Sequence, residues 1–266
     1  MASPGFQSKV DITFIGTATA VISIDGVNFI TDPVFDDVGT SYDLGIITLQ
    51  SLKAPALGLH ELPVIDAVLL SHEDHPDNLD TAGRSLLNGR PVITTPDGAN
   101  KLKPRPAVYA IRPWETLSLK IGGKNFSITG TPCVHLPGGE TTGFIVHTAS
   151  FGTNPDGLPN AIYFSGDTIY LEELAQMRKK FHIGLAIINL GAVIAPGPDG
   201  PLQITLDGKS AAKLVQDIGA DVVVPMHFDT WKHFTEPSTE SAKAFEEAGL
   251  KERVVWLEPG VAKQVL

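Results

Sequence analysis

The sequence predicts an α+β chain in which two β-sheets carry helices on their outer faces. Three observations predict it. Residues 10–31 read as a meander of strands with no helix. After the meander, helices and strands alternate, twice over. The 26 glycines and 20 prolines are spread between apolar runs rather than massed in one tract, which marks many short strands joined by tight turns. Strands first, then alternating helix and strand, is the order that two sheets with outer helices produce.

Taken in order, residues 10–16 (VDITFIG) and 20–24 (AVISI) are short β-branched runs. Asp25-Gly26 is a hairpin turn signal, and residues 27–31 are the return strand. Residues 36–59 are rich in Gly and Ser, with apolar positions at Leu44, Ile46, Ile47, Leu49 and Leu57. This stretch reads as an irregular loop that either covers a site or lies packed on the surface. Residues 64–70 read as a buried strand, 79–87 as a short helix, 91–95 as a strand, and 96–102 as a turn leading into a short helix. A second strand series follows at 108–111, 115–121, 125–131, 142–147 and 161–165, with Gly122-Gly123 as a hairpin turn. Residues 171–180 have helical spacing of Leu171, Leu174, Ala175 and Met177, and 184–190 (GLAIINL) is a fully apolar strand. A helix at 210–218, a strand at 222–225, a helix at 240–248 and strands at 254–257 and 261–265 complete the chain.

The chain reads as a single unit, residues 1–266, with 42% hydrophobic residues and enough length for a large core. A net charge of -10 argues against nucleic acid or an anionic membrane as the main partner. A small-molecule substrate, including a small anion, stays open. Cys133 is the one cysteine, which fits a reducing compartment. The opening MASPGFQSKV lacks the apolar core of a signal peptide, and no stretch is apolar for the length of a membrane span. The expectation is a soluble, cytoplasmic protein of open oligomeric state.

The chemistry gathers at four strand ends. After 64–70 come His72, Glu73, Asp74, His75 and Asp77; after 125–131 come Cys133 and His135; after 161–165 comes Asp167; after 222–225 comes His227. Strand ends on one rim of a sheet bring distant residues to a single point, and imidazoles with carboxylates suit zinc, iron or manganese. Each residue also has an ordinary reading. A lone histidine is usually a surface or core residue, Gly-Asp after a strand is commonly a turn or N-cap, and Cys133 reads as a small buried apolar residue. His60, His147, His182 and His233 have no supporting context and are read as structural or exposed. Four strand ends in a consistent order are much harder to obtain by chance than one.

These motifs resemble those of the metallo-β-lactamase-fold hydrolases, in particular the branch containing L-ascorbate-6-phosphate lactonase and related metal-dependent hydrolases. The likeness runs over nearly the whole chain. FIGTATAVISIDGVNFITDPVF is similar to that branch's opening, VLLSHEDHPDNLD to its His-x-His-x-Asp-His-Leu-Asp segment, GTPCVH to its third His motif, IYFSGDT to its Gly-Asp-Thr motif, and VVVPMHF to its Pro-x-His. GAVIAP sits where the family has a connecting loop. The resemblance implies an αββα four-layer sandwich of two mixed sheets.

Two departures stand out. Thr17 occupies the place of a His in the opening motif, and the signature segment is one residue longer than the pattern. Three registers compete. Counting back from Asn78-Leu79-Asp80 puts Asp77 in the Asp place, His75 in the second His place and Asn78 in the third; counting forward from the strand puts His72 first; a third keeps His72-x-Asp74-His75 intact. The first two combined, with a residue bulged between His72 and His75, give the longer match, and Glu73 and Asp74 remain substitutes.

By resemblance, His72, His75 and His135 would form a first metal position with Asp167 bridging, and Asp77 and His227 would share the second. Asn78 is a weak donor to zinc, so the expectation is one tight ion and a second that is loose or missing. Zinc is the expected cation, with manganese or iron as alternatives. Such an ion lowers the pKa of its water from 15.7 toward ~7, and Asp77 would be the catalytic carboxylate that orients the water and takes its proton. Asp32 reads as a carboxylate that orients a ligand histidine, or as a turn residue before Pro33. The leading function is hydrolysis of a small ester or amide, a lactone or lactam above all, with Trp114, Trp231, Phe228, Tyr42 and Phe35 as candidate pocket walls. Phosphodiester hydrolysis would call for basic residues at the site, for which Arg84, Arg90, Lys101, Lys103 and Arg105 are the candidates. A degenerate, non-catalytic binder is the third reading.

Overall fold

The computed structural model describes all residues except 1, 2, 4, 46, 137, 198 and 199. Ile46, one of the apolar positions noted in the 36–59 stretch, therefore lies outside the described residues. The chain opens with strands β1 (Val10–Gly16), β2 (Thr19–Ile24) and β3 (Val27–Thr31), antiparallel in sequence. Asp25 and Gly26 turn the β2–β3 hairpin with φ of 48° and 84°, the left-handed pair that matches the twist of the flanking strands. A small hairpin follows, β4 (Ser41–Asp43) and β5 (Thr48–Gln50). Then come β6 (Ala67–Leu69), α1 (Thr81–Leu86), β7 (Val92–Thr94), α2 (Pro96–Lys101) and β8 (Val108–Ala110). β3, β6, β7 and β8 run parallel.

Both short helices start where their caps predict. Asp80 accepts from Gly83 N at 2.6 Å, and Thr95 accepts from Gly98 N at 3.0 Å with Pro96 in the first turn. Gly83 has no substitute, since a Cβ there would lie 1.8 Å from Pro33 O.

The second sheet repeats the plan. β9 (Thr116–Ile121), β10 (Lys124–Pro132), β11 (Thr142–His147) and β12 (Asn160–Phe164) are antiparallel, and β13 (His182–Asn189) joins β12 in parallel. A hairpin of β14 (Ile194–Gly197) and β15 (Gly200–Gln203) precedes α3 (Gly208–Ile218), β16 (Val222–Met226), α4 (Ser238–Glu247) and β17 (Ala262–Gln264). The strand orders are β17-β1-β2-β3-β6-β7-β8 and β16-β13-β12-β11-β10-β9. Each sheet is thus mixed, with an antiparallel portion continued by parallel strands.

Three apolar layers hold this together. Between the sheets lie Phe29, Phe126, Phe144 and Phe164, with Phe29 edge-on to Phe126 at 5.0 Å. Outside the second sheet, α3 buries Ala211, Leu214, Val215 and Ile218, spacing that makes one helical stripe, against Tyr163 and Phe245. Outside the first sheet, Leu79, Leu86, Leu87 and Leu102 cover Val68 and Val92. The result is the helix–sheet–sheet–helix sandwich expected above.

Several expected elements differ. Residues 36–59 contain the β4–β5 hairpin, and the β14–β15 hairpin begins inside the GAVIAP segment, at Ile194. The 64–70 strand is ordered only over Ala67–Leu69, because Val64 is 79% exposed and lies outside the sheet. Residues 171–180 form a 3-10 helix over Glu172–Lys179: Leu171, Leu174 and Met177 recur every third residue, and in that tighter coil they fall on one face, with Leu174 N bonded to Leu171 O. Residues 254–257 make a single bridge from Val254 to Val223 rather than a strand.

Candidate metal centre

The parallel strands β3, β6, β12, β13 and β16 end at one rim, and β10, two antiparallel steps from β12, ends there too. The carboxyl ends of parallel strands are where such sheets gather ligands. Asp32 follows β3, Ser71 and His72 follow β6, His135 follows β10, Asp167 follows β12, and His227 follows β16.

The segment after β6 places its side chains as follows. His75 O accepts from both Asn78 N and Leu79 N, a tight turn that delivers Asp80 to the start of α1. His72 Nε2 lies 3.1 Å from His75 Nδ1, and His135 Nε2 lies 3.1 Å from the same atom. Among the described residues this trio is the group whose ligand atoms all fall within 4.8 Å of one another. Glu73 and Asp74 are occupied elsewhere. Glu73 pairs with Arg84 and with Lys101, the latter at 2.9 Å, and Asp74 accepts from Gly139 N at 2.7 Å. The structure brings His72 and His75 together with His135, the pair named by the bulged register.

Asp167 and Asp77 stand beside the trio. Asp167 Oδ2 is 3.9 Å from His135 Nε2 and 3.3 Å from His227 Nε2; Asp77 Oδ2 is 3.9 Å from His227 Nε2. All are buried except His75, which is half-buried.

Hydrogen bonds set which ring nitrogen faces inward. His135 Nδ1 lies 2.8 Å from Ile204 O, and His227 Nδ1 lies 3.0 Å from Leu190 O. A carbonyl only accepts, so each Nδ1 carries the proton and each Nε2 presents a lone pair. Ser71 Oγ donates to Asp32 Oδ2 at 2.7 Å and lies 2.9 Å from His72 Nδ1, which makes it the acceptor for that ring and turns His72 Nε2 inward as well. Asp32 thus orients His72 through Ser71 rather than directly. His227 Nε2 is buried with no hydrogen-bond partner among the described residues.

Charge follows the same pattern. Burial, reinforced by His75 and His135, brings His72 down to about 3, and burial also lowers His135, so both rings are neutral. Burial pushes Asp77 and Asp167 up, but it is outweighed: the His233 hydrogen bond and neighbouring imidazoles hold Asp77 well below the usual carboxylate range, and His227, His135 and His72 lower Asp167. Neutral imidazole lone pairs and two ionised carboxylates therefore converge in a buried space with no fixed cation among them. Converging acceptors repel unless a positive ion sits between them. The donor set fits a divalent metal.

A small cavity of about 70 Å³ opens over this cluster, lined by the polar residues His75, Asp77, His135, Asp167, His227 and His233 and by the apolar residues Leu44, Ile47, Leu49, Val193, Ala195 and Ile204. The aromatic walls expected from sequence lie elsewhere. Trp114 bonds Glu173, Phe228 packs under the second sheet, Phe35 packs outside the first, and Trp231 and Tyr42 back the β4–β5 hairpin without lining the cavity. The basic residues 84, 90, 101, 103 and 105 are likewise absent from it. Arg84 and Lys101 hold Glu73, Arg90 caps Leu86 O, and Lys103 and Arg105 bond Asn100 and Asn88. Cys133 faces Ser165 O at 3.4 Å, outside the donor set.

Three site residues escape the sequence reading. Ser71 and Asn189, whose Nδ2 donates to Asp167 Oδ1 at 2.7 Å, are adjacent to strand ends and were within reach of that signal. His233, read from sequence as structural or exposed, is a half-buried residue whose side chain, 5% exposed, lies in the cavity wall with Nε2 3.1 Å from Asp77 Oδ2. It sits in a loop with no strand-end cue.

A family model described as "Beta-lactamase superfamily domain" matches residues 27–228. The chain belongs to this superfamily. The solved structure of a metallo hydrolase from the hyperthermophilic archaeon Ignicoccus hospitalis superposes with a TM-score of 0.73 at 21% identity, covering 96% of this chain and 98% of that one; a metallo-beta-lactamase fold protein from Bacillus subtilis superposes with a TM-score of 0.60 at 14% identity, covering 97% of this chain and 99% of that one, and the fold is the metallo-β-lactamase fold. Among curated relatives, a UPF0173 metal-dependent hydrolase of Methanopyrus kandleri is 26% identical, covering 94% of this chain and 97% of that protein. The N-acyl-phosphatidylethanolamine-hydrolyzing phospholipase D, mitochondrial, of Saccharomyces cerevisiae is also 26% identical, covering 94% of this chain. The chain spans 54% of the length of that yeast relative. No helix among the described residues is long and apolar enough to cross a membrane.

Proposed function

We propose that this chain hydrolyses a small, neutral ester or amide, with a lactone or lactam as the leading class, at a zinc centre. The observation that carries the reading is the inward convergence of imidazole lone pairs and ionised carboxylates under an apolar roof that, among the described residues, has no Lys or Arg in its lining. His72, His75 and His135 would hold one cation, with Asp167 facing both that trio and His227, and Asp77 beside His227. The imidazole-rich set favours zinc, and the carboxylates leave manganese or iron as alternatives. When bound, the cation supplies a nucleophile at neutral pH and polarises the oxygen that gains charge.

The chain's own residues do the rest. Asp77 stays ionised and lines the cavity, so it can take a proton from the attacking group and return it to the leaving group. Asn189 fixes Asp167. Leu44, Ile47 and Leu49 exclude water from the reacting centre. The apolar roof favours a neutral substrate body over a polyanion.

Phosphodiester hydrolysis is the second reading. The yeast relative's name and Arg112, which lines a separate groove shared with His135, favour it. Chelated and zinc-restored protein assayed on a lactone panel and on a bis-aryl phosphodiester separates the two. The expected result is zinc-dependent lactone or lactam turnover. Turnover of the phosphodiester alone would replace the first reading with the second, and inactivity on both would leave a non-catalytic binder.

A further inference from the structure

The motif that this chain resembles places an imidazole where Asn78 stands. Asn78 does not take over its task. Its Nδ2 turns to Asp32 Oδ2 at 3.3 Å, and Asn78 is not part of the cavity lining. That leaves Asp77, His227 and Asp167 one imidazole short at the second position. His233, five residues beyond the span matched by the family model, points into the gap.

We propose that His233 is the imidazole that completes the second cation position, with Asp77, His227 and Asp167, in place of the motif position now filled by Asn78. The proposal rests on the zinc-centre reading above.

The geometry supports it. Asp77 Oδ2 is the common neighbour of two imidazoles, 3.1 Å from His233 Nε2 and 3.9 Å from His227 Nε2, and His227 Nε2 is 3.3 Å from Asp167 Oδ2. Ligand atoms about 2.0–2.1 Å from a tetrahedral ion stand about 3.4 Å apart, so these three separations bracket that edge, and the remaining donor pairs would draw together around the ion. His227 Nε2 is the buried, unpartnered atom aimed into the space between them. The Phe234 ring, 4.4 Å from His227 and 4.7 Å from His233, walls both imidazoles on one side.

The second departure from the motif belongs to the same arrangement. Thr17 stands where the motif has a histidine, and its Oγ1 accepts from Trp231 Nε1 at 2.9 Å and contacts Thr230 Oγ1 at 3.1 Å. Trp231 is 2% exposed and anchors the loop that delivers His233. The β4–β5 hairpin pins that loop from the other side, through Lys232 N to Gln50 O at 2.9 Å and Leu52 N to Thr230 O at 2.8 Å. A histidine at 17 would replace the small hydroxyl that receives the indole. The loss of the motif's imidazoles at 17 and 78 and the presence of His233 are thus parts of one arrangement, in which His233 supplies the imidazole that Asn78 does not.

The test is cation stoichiometry, read without any substrate. Full-length protein is stripped with chelator, reloaded with zinc or cobalt(II), and analysed for bound metal per chain and for the cobalt d–d spectrum. Wild type should hold two equivalents, and His233→Ala one, with affinity at the second position weakened at least 10–100-fold. His233→Gln repeats the test should the alanine variant fail to fold. Asn78→His in the His233→Ala background should restore the second equivalent, and Asn78→Ala alone should leave two. The proposal is overturned if wild type holds one equivalent, if His233→Ala keeps two at unchanged affinity (a hydrogen bond to Asp77 only), or if Asn78→Ala loses one. Failure of the underlying reading looks different: His135→Ala and His227→Ala would then leave cation content untouched.

Discussion

Asp32, Ser71 and His72 form a buried relay whose middle member carries the orientation. Ser71 donates its hydroxyl to Asp32 Oδ2 at 2.7 Å and its backbone N–H to Asp32 Oδ1 at 2.6 Å. Burial raises Asp32 well above the carboxylate range, and the Ser71 bonds oppose that rise. Ser71→Ala removes the acceptor that fixes His72 Nδ1–H. Zinc affinity should fall about 10–100-fold, while stability falls by only about 1 kcal/mol; competition with a chromophoric chelator and a urea titration measure the two. An unchanged zinc affinity would show that packing alone orients His72. Asp32 was legible as an orienting carboxylate because Thr-Asp-Pro follows a strand, but the intervening serine was not, since a hydroxyl's partner depends on where the next strand ends. The strand-end histidines and aspartates were legible for the converse reason: their positions follow from strand order. His233 was hidden because only tertiary contacts, at Thr17 and Gln50, carry it inward.

At the scale of elements, the strands with alternating or fully apolar patterns were readable, and the two small hairpins were not. β4 and β5 have three residues each, and Leu49 is their one buried side chain, so there is no periodicity to detect. Yet this hairpin roofs the site, with Leu44, Ile47 and Leu49 on the cavity side and Trp231 and Val34 packed behind Leu49. Leu44 is 44% exposed and contributes little to the core, so its apolar surface is available to a substrate. Leu44→Ala should raise KM about 5-fold, the equivalent of about 1 kcal/mol of apolar contact, with kcat and cation content unchanged, the pattern of lost uniform binding. A fall in kcat with KM constant would instead assign the hairpin a role in the chemical step. Steady-state kinetics on the substrate found in the panel, with metal analysis alongside, distinguishes the outcomes.

At the scale of the whole molecule, the apolar layer between the sheets takes residues from both halves of the chain, from Val10 to Val265, and the donor cluster sits at its rim. Removing the cation leaves that cluster with neutral imidazoles held in a buried site. The sign of the resulting pH dependence follows from His72. Its folded pKa is lowered from 6.5 to about 3, chiefly by burial. Between those values the unfolded chain binds a proton that the folded chain refuses, so stability rises with pH across that window. The contribution is fully present above about pH 6.5 and is lost as pH falls toward 3. At pH 5 the loss from His72 alone is about 2 kcal/mol, from 1.36 kcal/mol per pH unit. His135, lowered by burial as well, adds in the same direction. Asp77 and Asp167, held below their ordinary value, add their losses only at lower pH. Cation-free protein should therefore lose stability between pH 7 and pH 5 by the amount that His72 and His135 outweigh Asp32, whose raised pKa acts in the opposite sense, and His72→Gln should reduce that loss. Urea midpoints at the two pH values, for stripped wild type and stripped His72→Gln, test this directly. Equal slopes for the two proteins would mean that His72 takes up a proton in the folded state, and that the buried trio is not the neutral donor set on which cation binding depends.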